Sequence, residues 1–170
     1  MSDDASSPAP ESSRRIEPNT IRARHRDLDV EVSQPARPED ELRIVVPGAN
    51  ARRLLERLAG EDETAARRLV DLTVIDRGPE VPRARRFEIV YRLHSSARQA
   101  ALRVHALVDA EDATIETMTG VWPAAGWLER EAFDLFGIHF KGHPDLRRLL
   151  LDPAFEGAPL RKDSRRSESA

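Results

Sequence analysis

Between Trp127 and Leu150 the chain reads WLEREAFDLFGIHFKGHPDLRRLL, and there Glu129, Glu131, Asp134, His139, His143 and Asp145 supply the groups of acid–base and metal chemistry. Glu131 and Asp134 stand at i,i+3 on a helical stretch, close enough for one carboxylate to raise the pKa of the other and make a general acid. The same spacing places Arg130 at i,i+4 from Asp134, which equally makes an ion-pair lattice. His139 and His143 are four apart, the spacing at which two imidazoles share a metal on a helix, with Asp145 as a third ligand. Gly137, Gly142 and Pro144 interrupt any helix there, so His143 before Pro144 reads more simply as a turn histidine bonded to backbone. Arg147 and Arg148 could contact phosphate, but no Gly-rich loop follows a strand to cradle a nucleotide, and an arginine pair in a chain of net charge −3 does not make a nucleic-acid surface. The window also holds Trp127, Phe133, Phe136 and Phe140, close to Trp122. Aromatic anchors among arginines and carboxylates are the make-up of an interface core with a polar rim.

Elements must position these groups. ELRIVVPG at 41–48 reads as a strand closed by Pro47 and Gly48, and NARRLLERLAG places Leu54, Leu55 and Leu58 at helical spacing before stopping at Gly60. LVDLTVID at 69–76 is a second strand, ended by a turn at Gly78-Pro79. RFEIVYRLHS alternates Phe87, Ile89, Tyr91 and Leu93 with a polar face, and ALRVHALV repeats this with Leu102, Val104, Ala106 and Val108, the pattern of antiparallel neighbours with one face on a core. TIET at 114–117 is a short edge strand. Apolar positions from Trp122 through Leu128, Phe133, Leu135 and Phe136 then take a helical period ended by Gly137, with Ile138 beyond it. The predicted fold is α+β: a mixed sheet with helices packed on one face and no internal repeat. Phe136 and Ile138 are expected in the core or in an interface seam. His25, His94 and His105 read as tail or polar-face residues.

Composition divides the 170 residues into three parts. Residues 1–40 are rich in Ser, Pro and charge and read as a disordered tail, residues 41–163 as the folding domain, and 164–170 as a short charged tail. No window carries the roughly 20 apolar residues of a membrane span, and no secretion signal opens the chain. There is no cysteine, which removes disulfides and the thiolates of iron–sulfur and most structural zinc sites.

In order along the chain, Glu129-Arg130-Glu131, Asp134, Phe136-Gly137-Ile138, Gly142-His143-Pro144-Asp145-Leu146 and Arg147-Arg148 resemble the signature of the C subunit of the proton-translocating NADH:quinone oxidoreductase, respiratory complex I. The resemblance extends over residues 41–163, through the strands LVDLTVID and RFEIVYRL to Arg161, Lys162 and Asp163 of GAPLRKD. It departs from the family at Gly126, where Asn is usual before the tryptophan, and at Ser164-Arg165-Arg166, where an aromatic and a proline usually follow. The resemblance implies a hydrophilic peripheral-arm subunit without cofactors, with FMN and iron–sulfur clusters in partner subunits. It would pack against the D subunit, which with the B subunit lines the quinone site, peripheral to the cytoplasmic side of a bacterial inner membrane. Trp127, Glu129, Arg130, Glu131, Asp134, Phe136, Gly137, His143, Pro144, Asp145, Arg147, Arg148, Arg161, Lys162 and Asp163 would then be interface or signature residues rather than catalysts. Membrane-bound hydrogenases, formate hydrogenlyases and coenzyme F420-linked dehydrogenases have similar subunits. A free-standing enzyme with Glu131, Asp134 and His143 as acid, base and orienter is the rival from another class.

Overall fold

The computed structural model describes residues 16–33, 41–62 and 64–164. The expected tail segments 1–15, 34–40 and 165–170 lie outside the described residues. The elements are α1 (Pro18–Arg24), β1 (Glu31–Ser33), β2 (Leu42–Pro47), α2 (Gly48–Gly60), β3 (Arg68–Asp76), β4 (Phe87–Ser95), β5 (Ala100–Val108), β6 (Thr114–Glu116), α3 (Ala125–Phe136) and β7 (His139–Lys141).

Alternating apolar residues build a five-stranded mixed sheet in the order β1-β2-β5-β4-β3, in which β2 runs parallel to β5 and every other pair is antiparallel. Register puts Leu42, Ile44 and Val46 beside Leu102, Val104 and Ala106, and these beside Leu93, Tyr91 and Ile89, all buried on one face. Ala51, Leu54, Leu55 and Leu58 of α2 and Ala125 and Ala132 of α3 close that core. The fold class expected from sequence is the one observed. TIET does not edge this sheet: β6 pairs in parallel with β7 as a separate two-stranded sheet, with α3 as the crossover that parallel strands require.

The tail boundary at residue 40 requires correction. Residues 16–33 form α1, a 3-10 turn at Arg26–Leu28 and β1, and they bury Ile16, Ile21, Leu28 and Val32. Five aliphatic residues, Ile16, Ile21, Leu28, Val30 and Val32, are diluted among charges, so average composition hides them; β1 gains a ladder from β2 with Val32 opposite Ile44. Asp27 is gripped by both Arg57 nitrogens at 2.8 and 2.9 Å, and Asn50 Nδ2 donates to Leu28 O at 3.0 Å. His25, expected in a tail, is fully buried beneath this segment, its Nε2 3.5 Å from Glu61 Oε2.

Candidate functional site: helix α3 and the strap behind it

Past β7 the chain runs from His143 to Asp163 without helix or strand, as a strap across α3. Such a segment needs partners for its backbone groups, and α3 supplies them through the charged residues of the signature. Asp134, fully buried, accepts the N–H groups of Leu149, Leu150 and Leu151 at 3.0, 2.7 and 2.9 Å and a 2.7 Å bond from Arg148 Nη1. Burial alone would raise its pKa, but these donors win and hold the carboxyl down at about 2. Arg130 does not pair with Asp134 as its spacing suggested. It donates to the carbonyls of Arg147 and Arg148 at 3.1 Å each, lies 3.9 Å from Asp145, and stacks on Trp127 with its guanidinium carbon 5.0 Å from the ring centre. Arg148 also donates to Gly157 O at 2.9 Å and lies over Phe155.

Sequence spacing pointed to a Glu131–Asp134 acid pair; the structure separates them. Glu131 faces solvent while Asp134 faces the strap. A carboxylate saturated by four donors with a depressed pKa is neither a general acid nor a ready base near neutral pH. The buried acid with a raised pKa is Glu129, pushed up by burial, with partial relief from Thr117 Oγ1 at 2.5 Å and Met118 N at 2.7 Å. Near it lies the buried, unpartnered hydroxyl of Tyr91, whose pKa burial raises, and then Glu129. Glu129 thus pins the loop between β6 and α3.

The histidine pair does not assemble. His139 sits exposed on β7, and Gly142, at φ 83, turns the chain before His143. His143 Nδ1 accepts Asp145 N–H at 3.0 Å, which leaves Nε2 to donate to Gly126 O at 3.0 Å. Both ring nitrogens therefore serve backbone, and among the described residues no group of three metal-ligating side chains exists. A Cβ at Gly126 would meet Thr119 and His143 only at 3.7 and 3.9 Å, so the departure there is sterically mild. Phe136 is half-buried, Gly137 caps α3 in the left-handed region at φ 68, Pro144 is exposed, and Asp145 pairs with Arg147 at 3.0 Å on the surface. Buried ion pairing thus belongs to Arg148 and Asp134, not to Arg147 and Glu131.

A second clamp, missed by the reading of the sequence, holds the end of the strap. Asp76 at the end of β3 receives Arg86 Nε and Nη2 at 3.1 Å each, Gly78 N at 2.8 Å and Lys162 N at 2.8 Å. Arg86 also binds Asp163 at 2.7 Å, which holds that carboxyl at about 2, and Arg161 lies over Phe87, 4.8 Å from the ring centre. A charged residue flanking each end of a β-hairpin was the available signal, but only the fold shows that both turn toward the strap.

With its backbone fixed, the surface of α3 and the strap displays Trp127 at 63 %, Leu150 at 62 %, Leu160 at 53 % and Phe155 at 41 % exposure. Large apolar groups displayed on a braced scaffold suit binding another surface; the acids beneath them suit bracing.

The family described as "Respiratory-chain NADH dehydrogenase, 30 Kd subunit" matches residues 44–169. The C subunit of the NADH-quinone oxidoreductase of Ruegeria sp. (strain TM1040) is 47 % identical over 123 residues, 72 % of this chain and 59 % of that one. Its counterpart in Azorhizobium caulinodans is 53 % identical over 87 residues, 51 % of this chain and 41 % of its own length. The chain thus spans less than two thirds of the length of these relatives. Among solved structures, the trypsin-resistant fragment (1-134) of Nqo5 superposes with a TM-score of 0.58 at 32 % identity, covering 75 % of this chain and 96 % of that one. A chain of the membrane-bound sulfane sulfur reductase, an archaeal respiratory membrane complex, superposes with a TM-score of 0.67 at 25 % identity, covering 85 % and 81 %. That family match runs from within β2 through the strap and includes both clamps, and the chain belongs to the 30 kDa subunit family of the respiratory-chain NADH dehydrogenase.

Proposed function

We propose that this chain is a non-catalytic peripheral-arm subunit of a proton-translocating NADH:quinone oxidoreductase, and that the α3–strap surface packs against the D subunit of that complex, with the B subunit nearby. The observation that carries this reading is the strap itself: Asp134, Arg130 and Arg148 fix its backbone while Trp127, Leu150, Phe155 and Leu160 point outward. In this reading Glu129, Glu131, Phe136, Gly137, His143, Pro144, Asp145, Arg161, Lys162 and Asp163 shape or border the interface, and Arg147 meets an acceptor on the neighbour. FMN and iron–sulfur clusters belong to partner subunits. No helix among the described residues is long and apolar enough to cross a membrane; attachment to the cytoplasmic side of a bacterial inner membrane would come through the complex.

A second reading, the equivalent subunit of a related membrane complex, is favoured by the likeness to the sulfane sulfur reductase chain; hydrogenase, formate hydrogenlyase and coenzyme F420-linked complexes belong to the same reading. Both make the chain a scaffold. The test is Arg147→Ala in cells, with complex abundance read on native gels beside the NADH:quinone reductase rate of membranes. Reduced abundance with normal rate per complex is the expected result. Wild-type abundance with a collapsed rate would return the chain to the class of enzymes, and a complex isolated without NADH-oxidising subunits would select the second reading.

A further inference from the structure

The sheet has two faces, and α2 and α3 cover one. On the other, register aligns three rows: Arg43, Arg103, Arg92 and Asp71; Val45, His105, Val90 and Thr73; Pro47, Leu107, Glu88 and Ile75. None of the described helices lies over these rows, yet they lack the character of a face built only for water. Val45, Val90, Glu88 and His105 are all buried at its centre. Three arginines stand directly opposite one another on neighbouring strands, about 4.8 Å apart, a like-charge alignment that destabilises an isolated sheet. Glu41 bridges two of them, with 2.6 Å to Arg92 and 2.8 Å to Arg103, while among the described residues Arg43 reaches only Glu88, at 3.8 Å. Glu88 is already committed to Arg77 Nε at 2.7 Å and to His105 Nδ1 at 3.0 Å. His105 Nε2 is itself enclosed and makes no hydrogen bond, so the exposed arginines, not the imidazole, are what this face offers a partner. His105, Arg103, Arg92 and Thr73 line an open groove of about 540 Å3.

We propose that this face, which no described helix covers, is a second protein interface, on the other side of the sheet from α3, which receives a partner segment presenting a carboxylate to Arg43 and Arg103. It rests on the chain being one subunit of a larger assembly. Charge complementarity selects the class of partner. Four guanidinium groups, Arg43, Arg77, Arg92 and Arg103, are interleaved with Glu31, Glu41, Asp71 and Glu88, so the face has almost no net field to attract a lipid headgroup layer or a nucleic acid backbone. What it offers is a fixed mosaic with apolar Val45, Val90 and Ile75 between the charges, which a protein surface of matching pattern can meet.

The test uses the assembled complex in native membranes, with a benzophenone amino acid at exposed Thr73 and, in a parallel strain, at Trp127. A protein adduct at Thr73 whose linked peptide contains Asp or Glu is expected. Joint charge reversal, Arg43→Glu with Arg103→Glu, should lower that adduct at least about tenfold, the loss of ~1.4 kcal/mol, while leaving the Trp127 adduct unchanged. An adduct at Trp127 without one at Thr73, a Thr73 adduct to lipid alone, or a Thr73 adduct indifferent to the charge reversal overturns the second interface. Absence of both adducts overturns the assembly reading as well.

Discussion

Replacing Asp134 isolates the bracing role of the signature. In wild type its carboxylate gathers three N–H groups of the strap and Arg148, and its pKa falls from 3.8 to about 2. A depression of that size, at about 1.4 kcal/mol per unit, makes the charged form worth roughly 2 kcal/mol to the fold. Asp134→Asn keeps one acceptor oxygen and should cost about that much. Asp134→Ala abandons three backbone N–H groups and a guanidinium, at ~3–5 kcal/mol. For a chain of this length, roughly 2 kcal/mol corresponds to a fall in Tm of about 4–8 °C, measured by circular dichroism alongside urea titration. The pH dependence gives an independent check. Because the folded pKa lies below the unfolded one, this stabilisation is fully present above about pH 4 and is lost as pH falls through 2. The gap between wild type and Asp134→Asn should therefore narrow across that window. A gap below about 0.5 kcal/mol at neutral pH, or one that is the same at pH 2 and pH 7, would show that the cluster of bonds is not what holds the strap.

Three further outcomes follow from the packing. Deleting residues 1–36, harmless if they were only a tail, removes Ile16, Ile21, Leu28 and Val32 from the core; each fully buried side chain contributes about 1.5–3 kcal/mol before the ordering entropy of the segment is subtracted, so the urea midpoint should drop measurably. Glu129 has a folded pKa raised chiefly by burial, so wild type loses stability as pH rises from the unfolded carboxyl value through the folded one, and Glu129→Gln should flatten that part of a Tm-against-pH curve. Gly48→Ala would set a Cβ 2.8 Å from Leu107 O, where backbone must move, and a loss of ~1–3 kcal/mol in thermal unfolding is expected.

How far the sequence foretold this structure depended on which side of each element faced something apolar. β4 and β5 were plain because an antiparallel sheet with one covered face writes its alternation directly, and Phe87, Ile89, Tyr91 and Leu93 are all fully buried. Helix α3 was found, but its inward stripe was not. The bulky residues Leu128, Phe133 and Phe136 suggested the core, whereas Ala125, Glu129 and Ala132 form the buried line and the bulky residues flank it half-buried. An inward stripe of alanine and charge carries no hydrophobic periodicity, so no pattern could report it. The same blindness hid the partners of Asp134: three consecutive backbone N–H groups have no side-chain signature at all. His143 was legible as a turn residue because Gly142 and Pro144 enclose it, and its two backbone bonds followed from that turn.

The placement of these charges inside the chain bears on how the protein associates. Residues 143–163 have no ladder of their own, and ordering them on contact with a neighbour would cost on the order of 1 kcal/mol per residue in backbone entropy. Asp134, Arg130 and Arg148 at one end and Asp76 with Arg86 at the other make that ordering part of folding instead. The apolar side chains Trp127, Leu150, Phe155 and Leu160 are thereby held in a fixed arrangement before any partner arrives. On the proposed scaffold reading, loss of a clamp should consequently weaken association even where Trp127, Leu150, Phe155 and Leu160 are untouched, and the buried acids of the signature would act on assembly through the strap they hold.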